Sequence, residues 1–289
     1  MTTQTQLLKK YGIPVRGNSG QHLLIDPNIQ EKIVDALNPS PKDKILEIGP
    51  GLGALTHLIL KKGSRVWAVE KDERFVHILE GEYGRDYRDH LKVIHEDALK
   101  LKFEKLKAKP STAKWKLVSN LPYYVTAPIL FHVFESWKLF SKAILMMQQE
   151  VAKRLIATPG TKDYGRLSLA AKFYADTRIL FNVSPGCFSP KPQVQSSVVE
   201  LDFHPESKLP EGLDRETIFK LIKVAFSQRR KTLLHLLSDN PEIGKSKESL
   251  KAIFQNIDFS EKVRGEELLL KDYFKLAGAL TGAIERPPR

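Results

Sequence analysis

Residues 44–70 leave this chain little choice of architecture. Lys44-Ile45-Leu46-Glu47-Ile48 is an apolar run of strand length, Gly49-Pro50-Gly51-Leu52-Gly53 is a turn, and helical periodicity takes over at 54–62. A second strand, Arg65-Val66-Trp67-Ala68-Val69-Glu70, follows at once. Two strands joined through a helix pair as a parallel, right-handed crossover.

The alternation continues. Helix is expected at 72–80, strand at 91–94, strand at 116–118, helix at 127–135, strand at 143–147 and helix at 149–156. Strands at 178–183 and 197–203 flank a proline-rich stretch at 185–192 and close the series, with an antiparallel pair expected among the last strands. Before the series, Asp26-Pro27 supplies an N-cap and a proline for a helix to about Leu37, stopped by Asn38-Pro39-Ser40-Pro41. After residue 203 only helical stripes appear: Ile218, Leu221, Ile222 and Ala225; then Leu233, Leu234 and Leu237; then Tyr273, Leu276 and Leu280. The expected division is an extended basic arm at 1–25, an α/β domain with a doubly wound sheet at 26–208, a small all-helical domain at 209–284 and a tail at 285–289.

Charge points to a polyanionic partner. The 289 residues carry a formal charge of +12, a field that favours nucleic acid. Residues 1–25 hold Lys9, Lys10 and Arg16 with no carboxylate, and residues 217–238 hold Lys220, Lys223, Arg229, Arg230 and Lys231 with none. The arm can order on RNA, and Arg229, Arg230 and Lys231, opening a helical segment, can meet phosphates. The single cysteine, Cys187, excludes an internal disulfide framework and a cysteine-rich zinc site. His132 and His204 have no partners at metal-ligand spacing, so no metal is expected. No apolar run approaches the roughly 20 residues of a membrane helix, and the polar first residues do not resemble a secretory signal. A cytoplasmic or organelle-matrix protein, monomeric and off the membrane, is expected.

The glycine turn invites a cofactor. Glycines let a ligand approach the backbone, and Glu70, 21 residues after Gly49 at the end of the second strand, can take both hydroxyls of a ribose. Gly49, Gly51 and Glu47 lie in the turn or just before it. Asp97, after the third strand, offers an acceptor to an adenine amine. A nicotinamide dinucleotide and S-adenosylmethionine both fit these features.

A second motif narrows the chemistry. Asn120-Leu121-Pro122-Tyr123 follows the apolar run 116–119 at the mouth of a strand. The Asn120 side-chain oxygen and the Leu121 carbonyl can accept hydrogen bonds from an exocyclic amine. Pro122 fixes the backbone there, and Tyr123 offers a ring for stacking. Amino-methylating enzymes grip planar bases in this way.

With both motifs present, the chain resembles the ribosomal RNA adenine dimethyltransferase family from about Gly20 to Leu280. The resemblance rests on Gly20-Gln21-His22-Leu23-Leu24, the 47–53 turn, the 120–123 motif, Tyr164-Gly165-Arg166-Leu167-Ser168, Phe188-Ser189-Pro190-Lys191-Pro192-Gln193-Val194 and Ala225-Phe226-Ser227-Gln228-Arg229-Arg230-Lys231. It implies a Rossmann-like S-adenosylmethionine-binding sheet. It also implies dimethylation at N6 of two adjacent adenines near the 3′ end of small-subunit ribosomal RNA, within a pre-ribosomal particle, and a part in small-subunit biogenesis. His22, Leu24, Gly49, Glu70, Asp97 and Asn120 would hold the cofactor, with Gln21 and Glu47 close by, and Phe188 would face Tyr123 across the flipped adenine. Leu23 and Tyr124 stand where the family often has phenylalanine and asparagine. The alternatives are a large-subunit adenine methyltransferase, a non-catalytic assembly factor that binds RNA, and an NAD-dependent oxidoreductase.

Overall fold

The computed structural model describes residues 4–12, 22–103, 114–206 and 208–282. Gln21, Arg16 and the expected tail at 285–289 lie outside these. Two compact units emerge: residues 1–153 with 175–205, and residues 154–174 with 206–289. The second unit therefore takes a segment at 154–174 that the sequence reading assigned to the sheet domain.

The first unit begins with α1 (Gln4–Lys10), where an extended arm was expected. The reason is Leu7, which is fully buried and packs with Leu52, Phe75 and Ile78; burying one leucine is worth about 1.5–3 kcal/mol. After the short strand β1 (Leu23–Leu24) comes α2 (Pro27–Leu37). Asp26 caps it, accepting from the backbone N–H of Asn28 at 2.9 Å and of Ile29 at 3.2 Å, a contact worth about 1 kcal/mol. Its face of Ile33, Val34 and Leu37 is buried.

Strand β2 (Lys44–Ile48), helix α3 (Ala54–Lys61), strand β3 (Arg65–Glu70), helix α4 (Glu73–Leu79) and strand β4 (Leu91–His95) run outward. The chain then crosses back to β5 (Trp115–Asn120), continues through α5 (Thr126–Glu135) to β6 (Phe140–Gln148), and enters α6 (Gln149–Ile156). Helix α7 (Arg166–Tyr174) precedes β7 (Ala175–Val183), the two-residue β8 (Phe188–Ser189) and β9 (Ser196–Phe203). The main sheet is ordered β4-β3-β2-β5-β6-β9-β7. The first five of these strands are parallel, and β9 is antiparallel to both neighbours. A separate antiparallel pair joins β1 to β8, with Leu24 opposite Phe188.

This topology places the site. Successive strands step from β2 out to β4, then resume at β5 on the other side of β2. The carboxyl ends of β2 and β5 thus flank the point where strand order reverses, the crevice in which open α/β sheets bind ligands. Ile48 stands opposite Ser119 there.

The second unit is helical: α7, α8 (Arg215–Ala225), α9 (Leu233–Ser238), α10 (Lys247–Asn256) and α11 (Leu270–Thr281). Its core gathers Tyr164, Leu169, Leu221, Leu237, Phe254 and Tyr273. Gly265 is fixed by packing, since a Cβ there would lie 2.7 Å from the Ala225 carbonyl oxygen. No described helix is long and apolar enough to cross a membrane.

Candidate active site

The turn after β2 is held open by glycine. Gly49, Gly51 and Gly53 all have positive φ, which side-chain-bearing residues rarely adopt. At Gly53 a Cβ would also meet Tyr83 Cε2 at 2.5 Å. Gly51 and Gly53 are thus packed in, while Gly49 stays partly exposed at the carboxyl end of the sheet.

Two buried carboxylates surround the turn. Glu70, 6 % exposed, accepts from Gly51 N–H at 3.1 Å through Oε2, and from Lys71 and Asp72 N–H at 2.8 and 2.9 Å through Oε1. Burial raises its pKa and these donors counter the rise. Glu47 is 2 % exposed and accepts from Thr56 Oγ1 at 2.6 Å. Burial pushes its pKa up to about 7, with Thr56 opposing and the Glu70 charge reinforcing the rise. Asp97 is held below the usual carboxylate range, chiefly by Lys71, whose ammonium lies 2.8 Å from Oδ2.

A cavity of about 460 Å³ opens between Gly49, Glu70, Asp97, Pro122 and Tyr124. Its acidic wall beside the partly exposed Gly49 fits a nucleoside whose ribose meets Glu70 and whose amine meets Asp97. A smaller recess joins His22, Gly49, Glu70, Asn120 and Tyr123. The residues present thus fit S-adenosylmethionine, with Ile48, Gly49, Glu70 and Asp97 around the nucleoside and Glu47, Gly51, Leu24 and Asn120 at the other end.

The end of β5 is positioned from three sides. Asn120 pairs with Met146 of β6, and Leu121 N–H donates to the Met146 carbonyl at 2.9 Å. The Asn120 amide nitrogen donates to the His22 carbonyl at 2.9 Å, so its Oδ1 is the end left for another donor. The Pro122 carbonyl accepts from Val125 N–H at 3.2 Å and Thr126 Oγ1 at 3.0 Å. The Leu121 carbonyl accepts from none of the described residues. Two acceptors on consecutive residues, one side chain and one backbone, thus have no donor among the described residues.

Tyr123 is half-buried. Its hydroxyl and that of Ser196 share a hydrogen bond at 2.8 Å, and the His22 ring lies 5.2 Å away, tilted by 33°. His22 Nδ1 is 2.7 Å from the Pro190 carbonyl. The blocks at 22–24 and 188–190, far apart in sequence, thus support one another through the β1–β8 pair.

Phe188 departs from expectation. It is 3 % exposed and belongs to the core cluster with Leu24, Ile33 and Val34, so its ring does not stand open opposite Tyr123. Arg229, Arg230 and Lys231 also differ: they form a turn before α9 rather than opening a helix. Arg229 is committed internally, donating to the Lys162 carbonyl at 2.7 Å, the Tyr164 carbonyl at 2.9 Å and Glu266 Oε2 at 3.1 Å. Arg230 and Lys231 remain exposed.

Sequence reasoning passed over Gln4, Lys71 and Ser196. Gln4, Leu7 and Tyr11 recur at helical spacing, a signal hidden among polar residues. Among the described residues, no group of three His, Cys, Asp or Glu side chains is placed to hold a metal ion.

The family model described as "Ribosomal RNA adenine dimethylase" matches residues 14–274. The chain is 38 % identical over 273 residues to ribosomal RNA small subunit methyltransferase A of Lachnoclostridium phytofermentans, covering 94 % of this chain and 93 % of that one. It is 39 % identical over 282 residues to the protein of the same name in Streptococcus thermophilus, covering 96 % of each. Among solved structures it resembles a dimethyladenosine transferase from Plasmodium falciparum, with a TM-score of 0.75 and 27 % identity over 88 % of this chain and 96 % of that one. The 23S rRNA methyltransferase ErmE shares the fold at a TM-score of 0.64 and 22 % identity, over 90 % of this chain and 99 % of that one.

Proposed function

The chain belongs to the ribosomal RNA adenine dimethylase family, and from that premise we propose that it methylates N6 of two adjacent adenines near the 3′ end of small-subunit ribosomal RNA, met within a pre-ribosomal particle. It is an S-adenosylmethionine-dependent ribosomal RNA dimethyltransferase, and its relatives act in name on the small subunit. The likeness to ErmE speaks to the fold alone.

One observation carries the reading of the site: the His22 carbonyl takes the Asn120 amide nitrogen, leaving Oδ1 as an acceptor on the residue that precedes the unused Leu121 carbonyl. When bound, S-adenosylmethionine supplies an electrophilic methyl carbon. The protein's task is to aim a poor nucleophile. The lone pair of adenine N6 is delocalised into the ring, and two acceptors on the amine hydrogens favour a pyramidal nitrogen. Attack by a neutral amine on a cationic donor needs no prior deprotonation, so Asn120 and Leu121 position and stabilise rather than act as bases. The base leaves its stack to reach them, and Tyr123 repays about 1–3 kcal/mol by stacking. Held by Ser196, its ring needs little further ordering.

The test is mass mapping of methylated nucleotides on small-subunit particles treated with the purified protein. Two neighbouring dimethyladenines near the RNA 3′ end are expected. Methylation confined to another RNA would overturn the assignment.

A further inference from the structure

Helix α1 brings a polar side chain to the cofactor end of the sheet. Gln4 is 9 % exposed, and its amide has no hydrogen-bond partner among the described residues. It lines a small cavity of about 30 Å³ together with Glu47, Gly49, Gly51 and Asn120. Among the described residues the fully enclosed side-chain atoms without a partner belong to His57 and Thr177, so the Gln4 amide is not sealed off and stays open to a ligand. Glu47, bonded by Thr56 through both its hydroxyl and its backbone, borders the same cavity. One cavity thus holds a carboxylate acceptor and an amide that both donates and accepts.

The helix is placed firmly enough for this to matter. Leu7, one turn after Gln4 on the same face, is buried against Leu52, Phe75 and Ile78. Lys10 and Tyr11 both bind Glu82 Oε1. These contacts fix α1 at both its middle and its end.

We propose that Gln4 is a further cofactor-binding residue, which donates from its amide to the α-carboxylate of S-adenosylmethionine while Glu47 faces the α-ammonium. The inference rests on the reading that the cofactor lies over the 49–53 turn. The linings of the two cavities support the division of labour. Glu70 and Asp97 border the larger space, which suits a nucleoside, and Gln4, Glu47, Gly49 and Gly51 border the smaller one, where polar groups of both kinds face the amino-acid end.

Calorimetry on the full chain separates the two ends, using S-adenosylmethionine, S-adenosylhomocysteine and 5′-methylthioadenosine, which lacks the amino-acid group. Gln4→Ala is expected to weaken the first two about tenfold, the loss of one hydrogen bond to a charged group, and to leave 5′-methylthioadenosine unchanged. Gln4→Glu, of the same shape but repelling a carboxylate, is expected to weaken them further with the same selectivity. Equal weakening of all three ligands, or no change in any, would overturn the role of Gln4. A parent protein that binds S-adenosylmethionine no better than 5′-methylthioadenosine would do the same. If the parent binds none of the three, the cofactor reading falls and this inference with it.

Discussion

Asn120 donates its amide nitrogen to the His22 carbonyl at 2.9 Å, so a residue just before β1 fixes which end of the amide at the mouth of β5 is left for another donor. Replacing Asn120 by Ala removes that acceptor and leaves the His22 carbonyl without its donor. A fall in kcat of about 10²–10³-fold is expected, with stability lowered by only about 1 kcal/mol. Single-turnover methyl transfer and a thermal melt together check this; transfer at the parental rate would remove Asn120 from the chemistry.

Tyr123 and Phe188 separate by burial. Phe188→Ala should cost about 3–5 kcal/mol, because it opens a cavity in the cluster with Leu24 and Ile33. Tyr123→Phe keeps the ring and loses only the bond to Ser196, so it should cost about 1 kcal/mol in stability and little in RNA binding. Urea titrations of both variants provide the comparison. A Phe188→Ala chain as stable as the parent would show that the ring is not a core member.

Glu47 makes stability depend on pH. Its carboxyl sits at about 7 in the folded protein against an ordinary 4.5, so the native state binds a proton that the unfolded chain has already lost. Stability therefore falls as pH rises through the window from 4.5 to 7, by about 3 kcal/mol in total. Glu70, raised in the same direction, adds to the slope. Glu47→Gln stays neutral throughout and can still accept from Thr56. The variant is expected to show a shallower decline and to exceed the parent in stability at pH 8, as read from urea unfolding across the range. An unchanged slope would mean that Glu47 titrates normally.

Much of this was legible in the chain itself. The spans of β2 and β3 follow directly from apolar runs closed by Gly49 and by Glu70, and the 47–53 and 120–123 motifs meet at the sheet's reversal point because parallel crossovers bring them there. What escaped notice did so for physical reasons. Helix α7 is buried on nearly every side, from Leu167 to Tyr174, so it presents no polar stripe for periodicity to detect. Strands β1 and β8 are two residues each, too short to carry a pattern, and their pairing spans most of the first unit. Helix α1 hides its one decisive residue, Leu7, in a basic stretch. Arg229 looked like a phosphate contact because its partners at 162, 164 and 266 are distant in sequence.

That last residue supports a sharp contrast within one turn. Arg229 spends its donors on two carbonyls and a carboxylate of its own unit, while Arg230 and Lys231 stand exposed. Arg229→Ala should destabilise the helical unit by about 2 kcal/mol, nearly all from the carbonyl bonds, since the Glu266 pair is half-exposed and screened. Arg230→Ala and Lys231→Ala should leave the melting temperature unchanged and weaken RNA binding, each reducing the dependence of log K on log salt by roughly one. Binding isotherms at several salt concentrations, paired with melts, read both quantities. If Arg229→Ala lowers the salt slope without lowering stability, its guanidinium is free to meet phosphate after all.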